Sequence, residues 1–228
     1  MFTSLLNLFY PKLCAGCASF LLEGETAICS RCRHEIPLTN HLATTDNEAM
    51  KKFYGKVPVV FAAAFMYFHK EGIVQQMIHQ LKYKGNEAIG TAIGDWFSAD
   101  LQHYNIIRSI DVVIAVPLHP KKFRERGYNQ VTAFGEALSN NLNLPCQEGL
   151  LIRNQYSKTQ TRKTLLGRTE VNKQSVFDVR FEEKDHGKHF LLIDDVLTTG
   201  STLEACSRAL LTIPGSKVSI ICMAMSHS

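Results

Sequence analysis

No stretch of this 228-residue chain is apolar for long enough to cross a membrane as a helix. The longest such run, Val57–Phe68, is 12 residues and is interrupted by Pro58, where a spanning helix needs about 20. The amino terminus, Met1-Phe2-Thr3-Ser4-Leu5-Leu6, lacks the basic start and small-residue cleavage site of a secretory signal. There is no low-complexity tract, no internal repeat and no Gly-Lys-Ser/Thr loop of the Walker type. Charged residues make up only 20% and apolar residues 45%, which excludes disorder and coiled coil as descriptions of the whole chain. What remains is one large globular domain, or one with a small appendage.

The net charge is only +4, but it is unevenly placed. Between Pro117 and Lys173 ten Lys and Arg face four Asp and Glu, while the rest of the chain carries fifteen against seventeen. A basic central segment fits an anionic ligand such as phosphate, pyrophosphate or nucleic acid; a merely solvated surface is the bland alternative.

Seven cysteines are an awkward number for a disulfide framework. Four of them form two pairs, Cys14-x2-Cys17 and Cys29-x2-Cys32, separated by eleven residues. Each pair can bring two sulfurs to one ion from a tight turn, and two pairs complete a four-thiolate tetrahedral site of the structural zinc kind. Disulfides or chance are the alternatives. With all four positions filled by protein, no coordination site is left for a substrate. Such thiolates survive in a reducing compartment, so a cytoplasmic location is expected. Cys146, Cys206 and Cys222 sit in apolar surroundings and are expected to be buried thiols.

The remainder alternates between strand and helix patterns. Leu5, Leu6, Leu8 and Phe9 form an apolar lead-in expected to pack the cysteine module onto the rest, and the polar residues 38–52 read as a linker. Strands are expected at 57–68, 111–116, 150–153, 176–179, 189–193 and 217–223. Helices are expected at 71–81 (stopped by Gly85), 87–101, after Asn129 as a cap, and 201–211. Lys121–Gly127 reads as a basic loop and 154–173 as a long polar one. The alternation predicts an α/β fold with a mostly parallel sheet.

The chemistry concentrates at Phe190-Leu-Leu-Ile-Asp194-Asp195-Val196-Leu197-Thr198-Thr199-Gly200-Ser201-Thr202. A hydrophobic strand ends in two adjacent acids, followed by a turn of hydroxyls around one glycine and then a helix. Ligands of open α/β sheets bind beyond the carboxyl ends of the strands. Hydroxyls and free backbone N–H groups at a helix start make a phosphate site. Adjacent carboxylates are costly unless hydroxyl donors or a cation such as Mg2+ offset their repulsion. A diol beside a phosphate means a ribose 5-phosphate. A helix cap with two surface acids is the structural alternative.

Residues 192–202 resemble the phosphoribosyl pyrophosphate (PRPP) motif of type I phosphoribosyltransferases. Together with the four-cysteine module, Leu81-Lys-Tyr-Lys-Gly85 and Pro117-Leu-His-Pro…Arg126-Gly-Tyr-Asn-Gln130, nearly the whole chain resembles the ComF family of bacterial competence. The resemblance implies a type I phosphoribosyltransferase sheet behind a small zinc ribbon. It implies a zinc module at 1–40 and a transferase-like domain at 41–228, with a hood-like segment at 55–105 and a PRPP-binding core at 111–228. It implies ribose hydroxyls on Asp194 and Asp195 as the catalytic acids, and the 5-phosphate on Thr198–Thr202. Mg2+ would accompany PRPP. His119, Lys121 and Arg126 are pyrophosphate candidates, although His119 has the alternative of supporting a turn and Arg124 of solvating a helix start. Residues 154–173, with Gln160, Leu165, Arg168 and Asn172, resemble the family's active-site lid. This chain has Leu166-Gly167-Arg168-Thr169 where an acid beside the arginine is the family expectation. Two functions follow from the resemblance: transfer of phosphoribosyl to an unnamed acceptor, or a PRPP-binding protein that engages single-stranded DNA. Competence proteins are the further expected partners. No residue stands out as a general base.

Overall fold

A computed structural model describes residues 11–154 and 176–226. Four strands form one parallel sheet in the order β1-β6-β5-β2. They are β1 (Phe61–Phe68), β2 (Val112–Ala115), β5 (His189–Leu197) and β6 (Lys217–Ser226). Their registers, Phe61↔Ser219, Val112↔Phe190 and His189↔Lys217, bring all four carboxyl ends to one edge. Two short strands, β3 (Leu151–Arg153) and β4 (Phe177–Val179), pair antiparallel in a separate ribbon, so they do not join the parallel sheet.

The sheet is buried on both faces, which is why β5 and β6 read as continuous apolar runs rather than alternating ones. The pleat sends Leu191, Ile193, Ile221 and Met223 to one core and Phe190, Leu192, Ile220 and Cys222 to the other. The first core is closed by α3 (Ile73–Tyr83), α4 (Ala88–Leu101) and α6 (Thr132–Leu142) through residues such as Met77, Leu81, Ile93, Phe97 and Phe134. The second is closed by α7 (Ser201–Leu210), α2 (Glu48–Lys51) and the β3–β4 ribbon through Leu203, Leu210, Ala49 and Phe177. Both sheet edges are covered by backbone. Thr39 N–H donates to the Phe65 carbonyl and Tyr67 N–H to the Pro37 carbonyl beside β1, while Val113 donates to Pro145 and accepts from Gln147 beside β2. Unpaired strand edges are thereby removed.

Four sequence expectations change. Residues 38–52 are not a free linker: Asn47 is buried and its amide donates to the carbonyls of His41, Thr44 and Ala62, tying the segment to β1. Lys121–Gly127 is not a loop but the body of a short helix, α5 (Pro120–Arg126), capped by His119 and ended by left-handed Gly127. Cys146 is exposed because it lies on the strip beside edge strand β2, whereas Cys206 and Cys222 are buried as expected. Asn129 does not cap α6 directly; Val131 holds that place, and the Asn129 side chain donates to the Val116 carbonyl while accepting from Val131 N–H. The lead-in at Leu5–Phe9 and the lid candidates Gln160, Leu165, Arg168 and Asn172 lie outside the described residues.

Candidate functional site

Cysteine spacing acts first through local turns. Ala18 N–H donates back to the Cys14 carbonyl at 2.9 Å, closing the first turn. Cys29 then caps α1 (Ser30–Glu35), its sulfur accepting from Cys32 N–H at 3.4 Å. The Cys14 sulfur accepts from the backbone N–H groups of Gly16 (3.4 Å) and Cys29 (3.3 Å). All four sulfurs lie within 4.8 Å of one another, and those of Cys17 and Cys29 are 3.7 Å apart. Thiolates about 2.3 Å from a tetrahedral ion stand about 3.8 Å from each other, so the cluster fits one ion. None of the cysteines is in a disulfide. The turn needs glycine at position 16, since a Cβ there would meet Ile73 Cγ2 at 2.7 Å and Cys32 Sγ at 2.9 Å. That close approach docks the knuckle on α3, where Gln80 Nε2 also donates to the Ala15 carbonyl at 2.9 Å. Arg33 adds a guanidinium 4.8 Å above the Trp96 ring of α4.

A cavity of about 550 Å3 opens at the carboxyl edge of the parallel sheet. Its floor is the end of β5 with Pro117 and Leu118, α3 supplies His79, Lys82 and Tyr83 along one side, and Lys122, Arg126 and Arg153 add positive charge. Of the turn residues, Val196, Thr198 and Thr202 line it. Gly200 starts α7 with φ 81° and, having no side chain, makes no cap bond itself, while Thr199 Oγ1 accepts from Ser201 N–H at a long 3.4 Å. Thr199 and Ser201 face each other with hydroxyls 3.1 Å apart. An L side chain is strained at that φ, and a first turn with no bond from its N-cap residue has N–H groups to offer an anion.

The two acids lie inside β5, not after it, so the pleat turns them to opposite faces. Asp195 goes to the α3–α6 side. Lys82 Nζ stands 3.0 Å from its Oδ1, and Gln130 Nε2 donates to its Oδ2 at 2.7 Å. Gln130 Oε1 in turn accepts from Arg126 Nη1 at 2.6 Å, and Arg126 lies 5.2 Å from the Tyr83 ring centroid. Asp194 goes to the other side, and its Oδ1 accepts from Asp195 N–H at 2.9 Å. Burial first, and the neighbouring Asp195 charge second, push its carboxyl up to about 7, with Lys82 and Arg153 pulling the other way. Near neutrality that carboxyl can either give a hydrogen bond or accept one.

The structure therefore brings Arg126 to the acids, but His119 and Lys121 do not line the cavity. His119 Nδ1 accepts from Lys121 N–H as the cap of α5, and Lys121 pairs with Glu125 at 3.9 Å on the surface. Lys82, Gln130, Lys122 and Arg153 were not singled out by sequence. The signal for Lys82 was the motif Leu81–Gly85, which carried no assigned role.

The Phosphoribosyl transferase domain family matches residues 132–228, the part that holds both acids and the hydroxyl turn after them. Competence protein ComFC of Bacillus subtilis (strain 168) is 24% identical over 88% of this chain and 78% of its own length. DNA utilization protein YhgH of Escherichia coli O157:H7 is 28% identical over 64% of the chain and 65% of its own length. Among solved structures, adenine phosphoribosyl transferase from Trypanosoma brucei aligns with 80% of the chain and 81% of its own, at 15% identity and a TM-score of 0.37.

Proposed function

Taking the chain as a ComF-family protein with a phosphoribosyl transferase domain, we propose that its cavity binds PRPP with Mg2+ and transfers phosphoribosyl to an acceptor during DNA uptake. The observation that carries this reading is the joining of an acid pair to an uncapped helix start at the carboxyl edge of a parallel sheet. Asp194 and Asp195 receive the ribose hydroxyls. Thr198, Thr199, Gly200, Ser201 and Thr202 cradle the 5-phosphate, with Val196 and Leu197 carrying the backbone from one to the other. In the transfer, the bond from C1 to the pyrophosphate oxygen breaks, a bond from C1 to the acceptor nucleophile forms, and inorganic pyrophosphate leaves. The chain's own part is to orient the ligand and offset developing charge. Mg2+ would arrive with the pyrophosphate and neutralise part of its charge. Zinc on Cys14, Cys17, Cys29 and Cys32 is the structural ion of this reading.

Calorimetry tests it. The protein should bind PRPP in the presence of Mg2+, and Asp194→Asn with Asp195→Asn should weaken binding at least about tenfold, or 1.4 kcal/mol. Unchanged affinity in the folded double variant sinks the assignment. Pyrophosphate release in a screen of nucleobases, amines and DNA names the acceptor.

A second reading keeps the same ligand site but makes the protein a PRPP-binding, single-stranded-DNA-binding component without transfer. It is favoured by α5, where Lys121, Lys122, Arg124 and Arg126 surround an exposed Phe123. Such a face combines phosphate neutralisation with a ring on which a base can stack. Fluorescence anisotropy with labelled single-stranded DNA at low salt decides whether it binds. Displacement by PRPP decides whether the two share the loop.

A further inference from the structure

Of the two acids, Asp195 already has a side-chain partner on each carboxylate oxygen and keeps lone pairs for a ligand, and the cation that engages it comes from a distant part of the chain. Lys82 stands at the carboxyl end of α3, and its ammonium contacts Asp195 Oδ1 at 3.0 Å while its side chain keeps 23% exposure. Both residues line the cavity. An ammonium has three N–H donors. One is spent on Asp195, and among the described residues no second acceptor meets the other two. The position is braced on both sides: Tyr128 donates its hydroxyl to the carbonyl of Leu81, and Arg126 stacks on Tyr83. Lys82 is thus held at the rim of the acid site with donors to spare.

On a ribose held by its 2- and 3-hydroxyls, the substituent on C1 begins one bond from the carbon bearing the 2-hydroxyl. A cation 3.0 Å from one of the two carboxylates that take the diol is therefore within reach of whatever C1 carries. Lys122 and Arg126 line the same cavity, but Arg126 already serves Gln130 and Tyr83. We propose that Lys82 is a specificity-determining residue that bridges Asp195 and the anionic group on C1, so that the site tells PRPP from ribose 5-phosphate. This rests on the phosphoribosyl reading of the same cavity.

The test is calorimetric titration of PRPP and of ribose 5-phosphate into the wild-type chain and into Lys82→Met and Lys82→Arg, at one Mg2+ concentration. Lys82→Met should lower PRPP affinity at least about tenfold more than ribose 5-phosphate affinity, and Lys82→Arg should keep most of the difference. If both ligands weaken equally, Lys82 only props Asp195 and the proposal is overturned; it is also overturned if neither changes. If the wild-type chain binds neither ligand, the phosphoribosyl reading itself falls and takes this proposal with it. Should Lys82→Met fail to fold, acylation of the wild-type chain by an amine-reactive ester, read by mass spectrometry, replaces it. PRPP and inorganic pyrophosphate should shield Lys82 and ribose 5-phosphate should not. Equal shielding by ribose 5-phosphate, or shielding by none of them, overturns the proposal.

Discussion

The cysteine knuckle and the acid pair both crowd anionic groups into a small volume, and they resolve the repulsion in opposite ways. In the knuckle the four sulfurs meet each other, backbone N–H groups and Ser19, and among the described residues no cationic side chain forms an ion pair with them, so an ion from outside is the balancing charge the cluster fits. At the acid pair the balance is internal. Lys82 and Gln130 hold Asp195, the pleat turns Asp194 to the other face, and a proton stays on Asp194 up to about pH 7. A site that an outside ion completes is closed to further chemistry. A site completed by side chains, with one carboxyl still poised near neutrality and donors unspent on a lysine, is open to a ligand. The two are also in mechanical contact, because the knuckle docks on the helix that carries Lys82.

Removing the ion should give the largest effect. Structural zinc supplies apparent binding energies of roughly 10–16 kcal/mol in small modules, and little core exists inside residues 11–36 to replace it. One equivalent of zinc per chain is expected by elemental analysis, and Cys14→Ser should reduce it. Chelation should unfold the knuckle and, through Gln80 and Ile73, loosen α3, so that PRPP affinity falls as well. A metal-free chain with unaltered PRPP affinity would separate the two regions and break the comparison.

Gly16→Ala probes the joint itself. The new methyl would lie 2.7 Å from Ile73 and 2.9 Å from the Cys32 sulfur, an overpacking that costs roughly 1–3 kcal/mol. Thermal melting should show the loss with zinc content retained. An unchanged melting temperature would mean that the knuckle is not pressed on α3.

Asp194→Asn tests the other region and should act with opposite sign on stability and on function. The half-buried carboxyl is held at a cost above its raised pKa, so an uncharged amide should stabilise the chain by roughly 1 kcal/mol at pH 8, while ligand affinity drops. A variant that both melts earlier and binds normally would show that Asp194 is structural.

The knuckle was legible in the sequence because its four ligands come from two short local turns, and the spacing of Cys14, Cys17, Cys29 and Cys32 already contains the geometry. The turn around Gly200 was legible for the same reason, its hydroxyls and glycine being contiguous between β5 and α7. Asp195's partners were legible only as members of the motifs Leu81–Gly85 and Arg126–Gln130, since Lys82 reaches it from the end of α3 and Gln130 from the turn before α6, and nothing local assigns either to the acid. The opposite orientation of the acids follows from strand period alone once β5 is seen to run to Leu197 instead of stopping at Ile193. Helix α5 was missed because it is short and charged. Pro120 in its first turn and Gly127 just past its end are nonetheless the usual start and stop signals.

The smallest expected effect compares the two ends of β5. At its start His189 is buried between the hydroxyls of Ser109 (3.1 Å from Nδ1) and Ser219 (2.8 Å from Nε2), and burial lowers its pKa below 6.5. His41, buried beside β1, is lowered for the same cause. Below pH 6.5 the unfolded chain takes up these protons before the folded one does, so acid costs stability. Asp194, near the other end, works in reverse. Its folded pKa is raised to about 7 from 3.8, so between those values the folded chain holds the proton that the unfolded chain has lost. Stability from this group therefore rises as pH falls from 7. In the wild-type chain the opposing slopes partly cancel between pH 7 and 5, leaving a shift below about 1 kcal/mol, or 2–4 °C. In Asp194→Asn only the histidines remain, and the melting temperature should fall more steeply over the same range. Parallel melting curves for the two proteins would mean that Asp194 is already ionised in the folded state at pH 6. In that case the charge at this end of the strand is balanced by Lys82 and Arg153 rather than by a proton.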